Sequence, residues 1–161
     1  MVARPPRVVA LRDGRLVRLT PRRARCTDCG RTHVLLASWC VPRRGHGVEV
    51  IGTALAQRLH GRGHRSIGQQ LGVPAGTVRG WLRRVARRAE RLRVVATTHL
   101  YGLDPAQVPP EPTGSALGDA LAALAAAVRV AARRVAGAAH PGLGWALLGQ
   151  LGLIHALARA D

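Results

Sequence analysis

The N-terminal part of the chain carries short apolar runs separated by turn residues, a pattern typical of β-strands. Residues 8–11 and 16–19 flank the pair Asp13-Gly14, and an Asp-Gly pair between two such runs predicts a β-hairpin. Residues 32–36 predict a third short strand, and the turn residues 42–45 mark the first linker. The sequence therefore predicts a β part at this end of the chain.

After the first linker the apolar residues recur at helical spacing, and glycines divide the pattern into three segments. The first segment ends at residues 61–63, the second ends at Gly72, and the third begins near Pro74, where a missing N–H costs nothing. Ser66 with Gln69 has the pattern of a capping box, which predicts that the second helix opens there. The positions expected to face the core are Ile51, Ala54, Leu55, Leu59, Ile67, Leu71, Val78, Trp81, Leu82 and Val85.

A proline-rich stretch leads from these helices into an apolar C-terminal part. Residues 102–114 hold four prolines and are expected to be extended. Behind the predicted N-cap Ser115, apolar residues repeat at helical spacing up to a break at residues 140–142, and residues 143–158 predict a second helix. This second helix is too short to cross a bilayer, which takes about 20 apolar residues.

These patterns predict a mainly α-helical chain in four parts. The parts are a β-hairpin with a Cys knuckle (1–44), a homeodomain-like unit of three helices (47–95), a Pro-rich linker (96–114) and a C-terminal pair of helices (115–161). The C-terminal helices are expected either to pack inside the chain or to form a homodimer.

The positive charge of the chain is concentrated in one part of it. Residues 1–95 hold 21 arginines and four acidic residues and carry the whole formal charge of +17, whereas residues 96–161 hold four of each. So dense a charge raises self-repulsion in the folded state and is usually retained where a polyanion neutralises it. Nucleic acid fits better than a membrane surface, because turns and helix caps interrupt the basic segments.

The three helical segments look like a helix-turn-helix of the homeodomain-like, resolvase and transposase type. The third helix would then enter the major groove of DNA, with Thr77 and Arg79 reading bases and the later arginines binding phosphates. The residues expected to contact DNA are Arg65, Ser66, Thr77, Arg79, Gly80, Arg83, Arg84, Arg87 and Arg88.

Two other interpretations of these helices stay open from the sequence. A trihelical bundle with a solvated basic face has the same pattern without binding DNA. Trp81 could stack on a base, but its spacing from Val78 and Val85 favours a place in the core.

Cys26 and Cys29 form a Cys-x-x-Cys pair followed by Gly30, the pattern of a zinc knuckle in which a tight turn points two thiolates at one ion. A structural zinc takes four ligands, so the pair is half of a site, and His33 and Cys40 are the candidates for the other half. A knuckle that has lost its metal, or thiols packed in a small core, would fit the same residues.

Six stretches carry a resemblance to a protein family: RRARC (22–26), CG (29–30), THVLL (32–36), VEVIG (48–52), GRGHR (61–65) and TVRGWLRR (77–84). They lie within residues 22–93, a span of somewhat under half of the chain, which resembles an uncharacterised bacterial family of zinc-ribbon and helix-turn-helix proteins, akin to the DNA-binding regions of transposases. The resemblance implies DNA binding beside a separately encoded transposase. In that family an upstream Cys pair completes the zinc ribbon. This sequence has no such pair, so we expect a truncated copy or a misplaced start codon.

The predicted function is sequence-specific binding of double-stranded DNA, by a mobile-element protein or a transcription regulator. Catalysis is not expected, because two-metal phosphoryl transfer needs clustered carboxylates and the eight acidic residues are scattered. A transposase fragment is less favoured, and the alternative is a non-catalytic module that binds RNA or protein. The scarcity of aromatic residues argues against a stacking surface for single strands. Because no apolar signal segment opens the sequence, we expect a cytoplasmic protein without a membrane partner.

Overall fold

The computed structural model describes residues 6–136 of the 161-residue chain. This part is mainly α-helical, with two small antiparallel hairpins ahead of five helices. The predicted break at 140–142 and the predicted helix at 143–158 lie outside the described residues. The elements are β1 (Arg7–Ala10), β2 (Leu16–Leu19), β3 (Arg22–Arg25), β4 (Thr32–Leu35), α1 (Val48–Leu59), α2 (His64–Leu71), α3 (Ala75–Ala86), α4 (Ala89–Leu103) and α5 (Ala116–Ala136).

The predicted hairpin of β1 and β2 is confirmed, with Val9 opposite Val17. Asp13 holds its turn together, because its carboxylate accepts bonds from the Arg15 backbone N–H at 3.0 Å and from the Arg15 Nε at 2.6 Å. Gly14 takes a φ of 81°, a left-handed conformation that favours glycine. The Asp-Gly signal therefore marks the turn correctly.

A second hairpin, of β3 and β4, was only half predicted. Residues 22–25 read Arg-Arg-Ala-Arg and have no apolar alternation, so no strand pattern is visible there. These residues are extended because β4 pairs with them, with Ala24 opposite His33. Every residue of both strands is exposed, and this hairpin therefore contributes nothing to the core.

Backbone hydrogen bonds join the end of β1 to the start of α1. The Ala10 N–H donates to the Gly45 carbonyl at 2.8 Å, and the Gly47 N–H donates to the Ala10 carbonyl at 2.9 Å. Arg12, in the hairpin turn, forms an exposed ion pair with Glu49 of α1 at 3.3 Å. The first hairpin is therefore fixed to the helices, and the loop that precedes α1 is held between them.

The core of α1–α3 is built from the positions that the helical spacing predicted. Trp81 is 4% exposed and meets the ring of His46 edge to face, with 5.0 Å between the ring centroids. Burial lowers the pKa of His46. Leu59 departs from the prediction and is 45% exposed, because it is the last residue of α1. The predicted positions that are buried are Ile51, Ala54, Leu55, Ile67, Val78, Trp81 and Val85.

The predicted start of α2 at Ser66 is wrong. The helix begins at His64, and Ser66 makes no capping hydrogen bond. Gly63 has the extended conformation of an N-cap, with φ −78° and ψ 153°, and its carbonyl accepts the Ile67 N–H at 3.0 Å. The backbone of Gly63 therefore begins the helix without a side-chain cap, and Ser66 lies within the first turn.

The predicted linker is shorter than residues 96–114, because residues 96–103 belong to α4. The buried positions of α4 are Ala89, Leu92, Ala96 and Leu100, a stripe in which two of the four residues are alanine. Alanine contributes little to an apolar pattern, so the sequence pattern does not show where this helix begins and ends. The helix α5 packs along α4.

The predicted N-cap of α5 is confirmed. The Ser115 hydroxyl accepts the Gly118 N–H at 3.1 Å, and the Asp119 carboxylate reaches back to accept the Thr113 N–H at 2.6 Å. Residues 104–115, with their prolines, contain neither helix nor strand. None of the helices within residues 6–136 combines the length and the apolar character that crossing a bilayer demands.

Candidate nucleic-acid interface

A three-residue connection, residues 72–74, joins α2 to α3 and sets their relative direction. Gly72 ends α2 in the left-handed conformation, with φ 63°, which an L side chain disfavours. The Val73 N–H donates to the Gly68 carbonyl at 2.9 Å, and the Val73 side chain is 6% exposed. Pro74 then takes the N-cap position of α3, and its carbonyl accepts the Thr77 N–H at 2.9 Å. The connection is thus fixed by backbone bonds and by one buried side chain.

Gly68 lets this connection lie against α2, a role that was not predicted from the sequence. A Cβ at this position would lie 2.6 Å from the Val73 carbonyl oxygen and 3.2 Å from the Cα of Ala75. Both neighbours are backbone atoms, which cannot turn away as a side chain would. The signal that could have identified Gly68 is an isolated glycine within a helical pattern, which often marks close packing.

Three arginines form an outward stripe along α3 and its C-cap. Arg79, Arg83 and Arg87 follow one another at intervals of four residues, and each is exposed. Val78, Trp81 and Val85 on the opposite side of the helix are buried and hold it against the core. Leu121 and Leu124 of α5 belong to that same core. The C-terminal part described here therefore packs behind α3 and leaves the stripe uncovered.

The other predicted contact residues lie on α2, on α3 and just after α3. Arg65 and Ser66 are exposed in the first turn of α2. The remaining four are half-buried: Thr77, Gly80 and Arg84 on α3, and Arg88 just before α4. Thr77, expected to read bases, is therefore less accessible than Arg79.

The ion pairs of Arg12, Arg15 and Arg93 lie outside α3. Ion pairs join Arg12 to Glu49, Arg15 to Asp13 and Arg93 to Glu90, whereas no carboxylate of residues 6–136 pairs with the stripe Arg79, Arg83 and Arg87. The first turns of α1, α4 and α5 each hold an acidic residue, and those of α2 and α3 hold none. A helix N-terminus is electropositive, and an acidic residue in the first turn offsets that charge. The first turns of α2 and α3 hold no such residue, so their helix dipoles add to the positive charge of their arginines.

Arg44, which was not among the predicted contact residues, joins the edge of this surface. It precedes α1, and together with Arg84 and Trp81 it lines a small cleft between the loop and α3. Arg44 and Arg84 are both half-buried. Burial and, secondarily, the charge of Arg84 lower the pKa of Arg44. Forty residues separate the two arginines in sequence, so no local pattern could have paired them.

Cys26 and Cys29 lie together in the turn between β3 and β4. The backbone N–H groups of Cys29 and Asp28, with the Cys29 thiol, hold the pKa of Cys26 below its ordinary value. The same N–H groups would stabilise a metal-bound thiolate, so the pair fits half of a zinc site.

The predicted four-ligand set is not assembled. Cys40 is 3% exposed, and its backbone pairs with that of Gly47. His33, in contrast, is exposed on β4. Across the described part of the chain, no three His, Cys, Asp or Glu side chains are grouped closely enough to hold an ion. Zinc at Cys26 and Cys29 stays a prediction.

The three thiols are expected to differ in reactivity. With a disulfide reagent at neutral pH, Cys26 and Cys29 should react rapidly, because both are accessible and the lowered pKa of Cys26 raises its thiolate fraction. Cys40 should react only after denaturation, because burial raises its pKa and excludes the reagent. Stopped-flow absorbance on the native protein and on Cys26→Ser measures this. Equal rates for all three thiols would contradict the placement of Cys40.

Comparison with protein-family models, curated proteins and solved structures gives no match for this chain. The family resemblance carried by the six sequence stretches stays a prediction. A function for the chain must therefore be inferred from its own geometry and charge.

Proposed function

We propose that this protein binds double-stranded DNA through a helix-turn-helix formed by α2 and α3. The observation that carries the proposal is the stripe of Arg79, Arg83 and Arg87, exposed on a helix whose other side is anchored by Trp81. A helical bundle with a merely solvated basic face is less consistent with this stripe, because acidic residues are ordinarily interspersed among the basic residues of such a face. The sequence between Pro74 and Glu90 has no acidic residue.

The shape of the surface favours a duplex over other polyanions. An α-helix fits the major groove of B-DNA, which is about 12 Å wide, and a helix docked there has a phosphate backbone on either side. We assign base reading to Arg79 and Thr77, near the start of α3, and phosphate binding to the later arginines and to Arg65 and Ser66. Gly80 would allow the helix backbone to come close to the DNA.

The biological role that we propose is that of a sequence-specific regulator or a mobile-element accessory protein, acting with a separately encoded transposase. It is a binding role without catalysis, because the carboxylates of the described residues are dispersed and five of them contact arginines or backbone groups. Binding of RNA is the second candidate function. A comparison of duplex DNA with single-stranded DNA and duplex RNA distinguishes the two functions.

The salt dependence of binding tests the proposal. The logarithm of the affinity for a labelled duplex should fall with the logarithm of salt concentration at about −0.9 per phosphate contact, or roughly −4 to −6 for four to seven arginines. Fluorescence anisotropy between about 50 and 200 mM salt measures the slope. Single-stranded DNA and duplex RNA of the same sequence are the controls. A slope near zero, or tighter binding to either control, would overturn the proposal.

A further inference from the structure

We propose that Arg44 and Arg84 together bind one phosphate group of the DNA backbone at the edge of the α3 surface. The inference rests on the proposed DNA binding and adds a specific contact to it. Arg44 belongs to the loop before α1, so the contact would connect that loop, and the hairpin bonded to it, to the DNA. The two side chains would receive the phosphate between them.

The loop that carries Arg44 is held in a defined conformation. Residues 41–44 form a turn in which the Arg44 N–H donates to the Val41 carbonyl at 3.1 Å. The side chain of Arg7, in β1, donates to the Val41 carbonyl at 2.7 Å and also to the Arg44 carbonyl. Arg7 thereby fixes the backbone on both sides of the turn. Arg44 is presented by a structure that three separate hydrogen bonds maintain.

The turn also keeps an arginine where glycine would be less strained. Arg43 has a φ of 61°, the left-handed conformation that costs an L residue roughly 1–2 kcal/mol. It follows Pro42, as the glycine of a tight turn commonly does. The turn that places Arg44 beside α3 is thus kept at some cost in backbone strain.

The charges of Arg44 and Arg84 are uncompensated in the described structure. Both line the cleft beside Trp81, and no carboxylate among residues 6–136 forms an ion pair with either. Two guanidinium groups brought together without a counter-charge oppose folding, because each is partly removed from water and repelled by the other. An anion between them would reverse that effect.

A phosphate is the anion that this arrangement suits. Each guanidinium presents paired N–H donors that match two oxygens, and a phosphate can offer separate oxygens to two arginines at once. The pair also lies on a flank of α3, where a helix in the major groove meets the sugar-phosphate backbone. Contact with a base edge would instead require a side chain on the face of α3 that enters the groove.

Binding by substituted proteins tests the shared contact. Arg44→Gln and Arg84→Gln should each weaken duplex binding about tenfold and lower the salt slope by about 0.9. The double variant should lose much less than a hundredfold in affinity for the duplex, because both substitutions remove the same contact. Arg18→Gln, which removes an exposed charge from β2, is the control and should leave the slope unchanged. Fully additive losses, or an Arg44→Gln variant that behaves like the control, would overturn the inference.

A measurement without DNA separates this inference from the proposed function. Inorganic phosphate, compared with chloride at equal ionic strength, should raise the melting temperature of the natural protein and of Arg18→Gln but not that of Arg44→Gln. In chloride alone, Arg44→Gln should melt no lower than the natural protein, since it relieves a repulsion. If duplex binding fails while the phosphate effect holds, the anion site stands and the DNA proposal falls. If phosphate has the same effect on all three proteins, the paired site is wrong.

Discussion

Replacing Arg79 and Arg83 together by glutamate is expected to abolish duplex binding and to leave the fold intact. Both side chains are exposed on α3, and no described carboxylate pairs with them, so the substitution breaks no ion pair. An arginine bound to a base or a phosphate is worth about 1–3 kcal/mol, and each glutamate repels the DNA in addition. Two such changes predict that the affinity falls by about a hundredfold or more. Anisotropy titration measures the affinity, and circular dichroism checks the helices.

The helix α5 offers a control with the same change of charge. Arg129 and Arg133 are also exposed and also four residues apart, so that Arg129→Glu with Arg133→Glu alters the net charge of the protein equally. Because α5 packs on α4 and away from the stripe on α3, this variant should lose only a few-fold in affinity through long-range repulsion. Equal losses in the two variants would mean that the protein attracts DNA by its overall charge and that α3 has no special place.

The sequence predicts α3 well because its determinants are local. Val78, Trp81 and Val85 recur at the spacing of one helix face, and all three are buried. Once that face is assigned, the same periodicity places Arg79 and Arg83 on the other side of the helix, where both are exposed. The charge pattern and the apolar pattern thus locate the candidate surface from the same few residues.

Features that depend on distant residues could not be predicted in this way. β3 is extended because β4 pairs with it, and nothing in its own four residues favours a strand. The pairing of Arg44 with Arg84 requires the loop before α1 to lie beside α3, where His46 of that loop meets the Trp81 ring. α4 was missed for a related reason, since its alanines become core positions only when α5 packs on them.

Gly68→Ala is expected to be the most destabilising small substitution in the helix-turn-helix. Alanine is the better helix former by about 1 kcal/mol. A Cβ 2.6 Å from the Val73 carbonyl oxygen, however, forces the backbone of the connection to move, and overpacking of this kind costs about 1–3 kcal/mol or more. The clash should outweigh the gain in helix propensity, because neither the Val73 carbonyl nor Ala75 can be displaced without shifting α3. We expect a net loss of about 1 kcal/mol or more and weaker DNA binding.

Gly80→Ala separates the steric effect from helix propensity. Gly80 also lies inside a helix, but a Cβ there would meet no heavy atom within 4 Å, so the substitution should stabilise the protein by about 0.5–1 kcal/mol. Urea denaturation of both variants, followed by circular dichroism, gives the two changes in unfolding free energy, which should have opposite signs. A stabilised Gly68→Ala variant would mean that α2 does not lie so close to the connection, and the orientation of α3 on which the DNA surface depends would then be wrong.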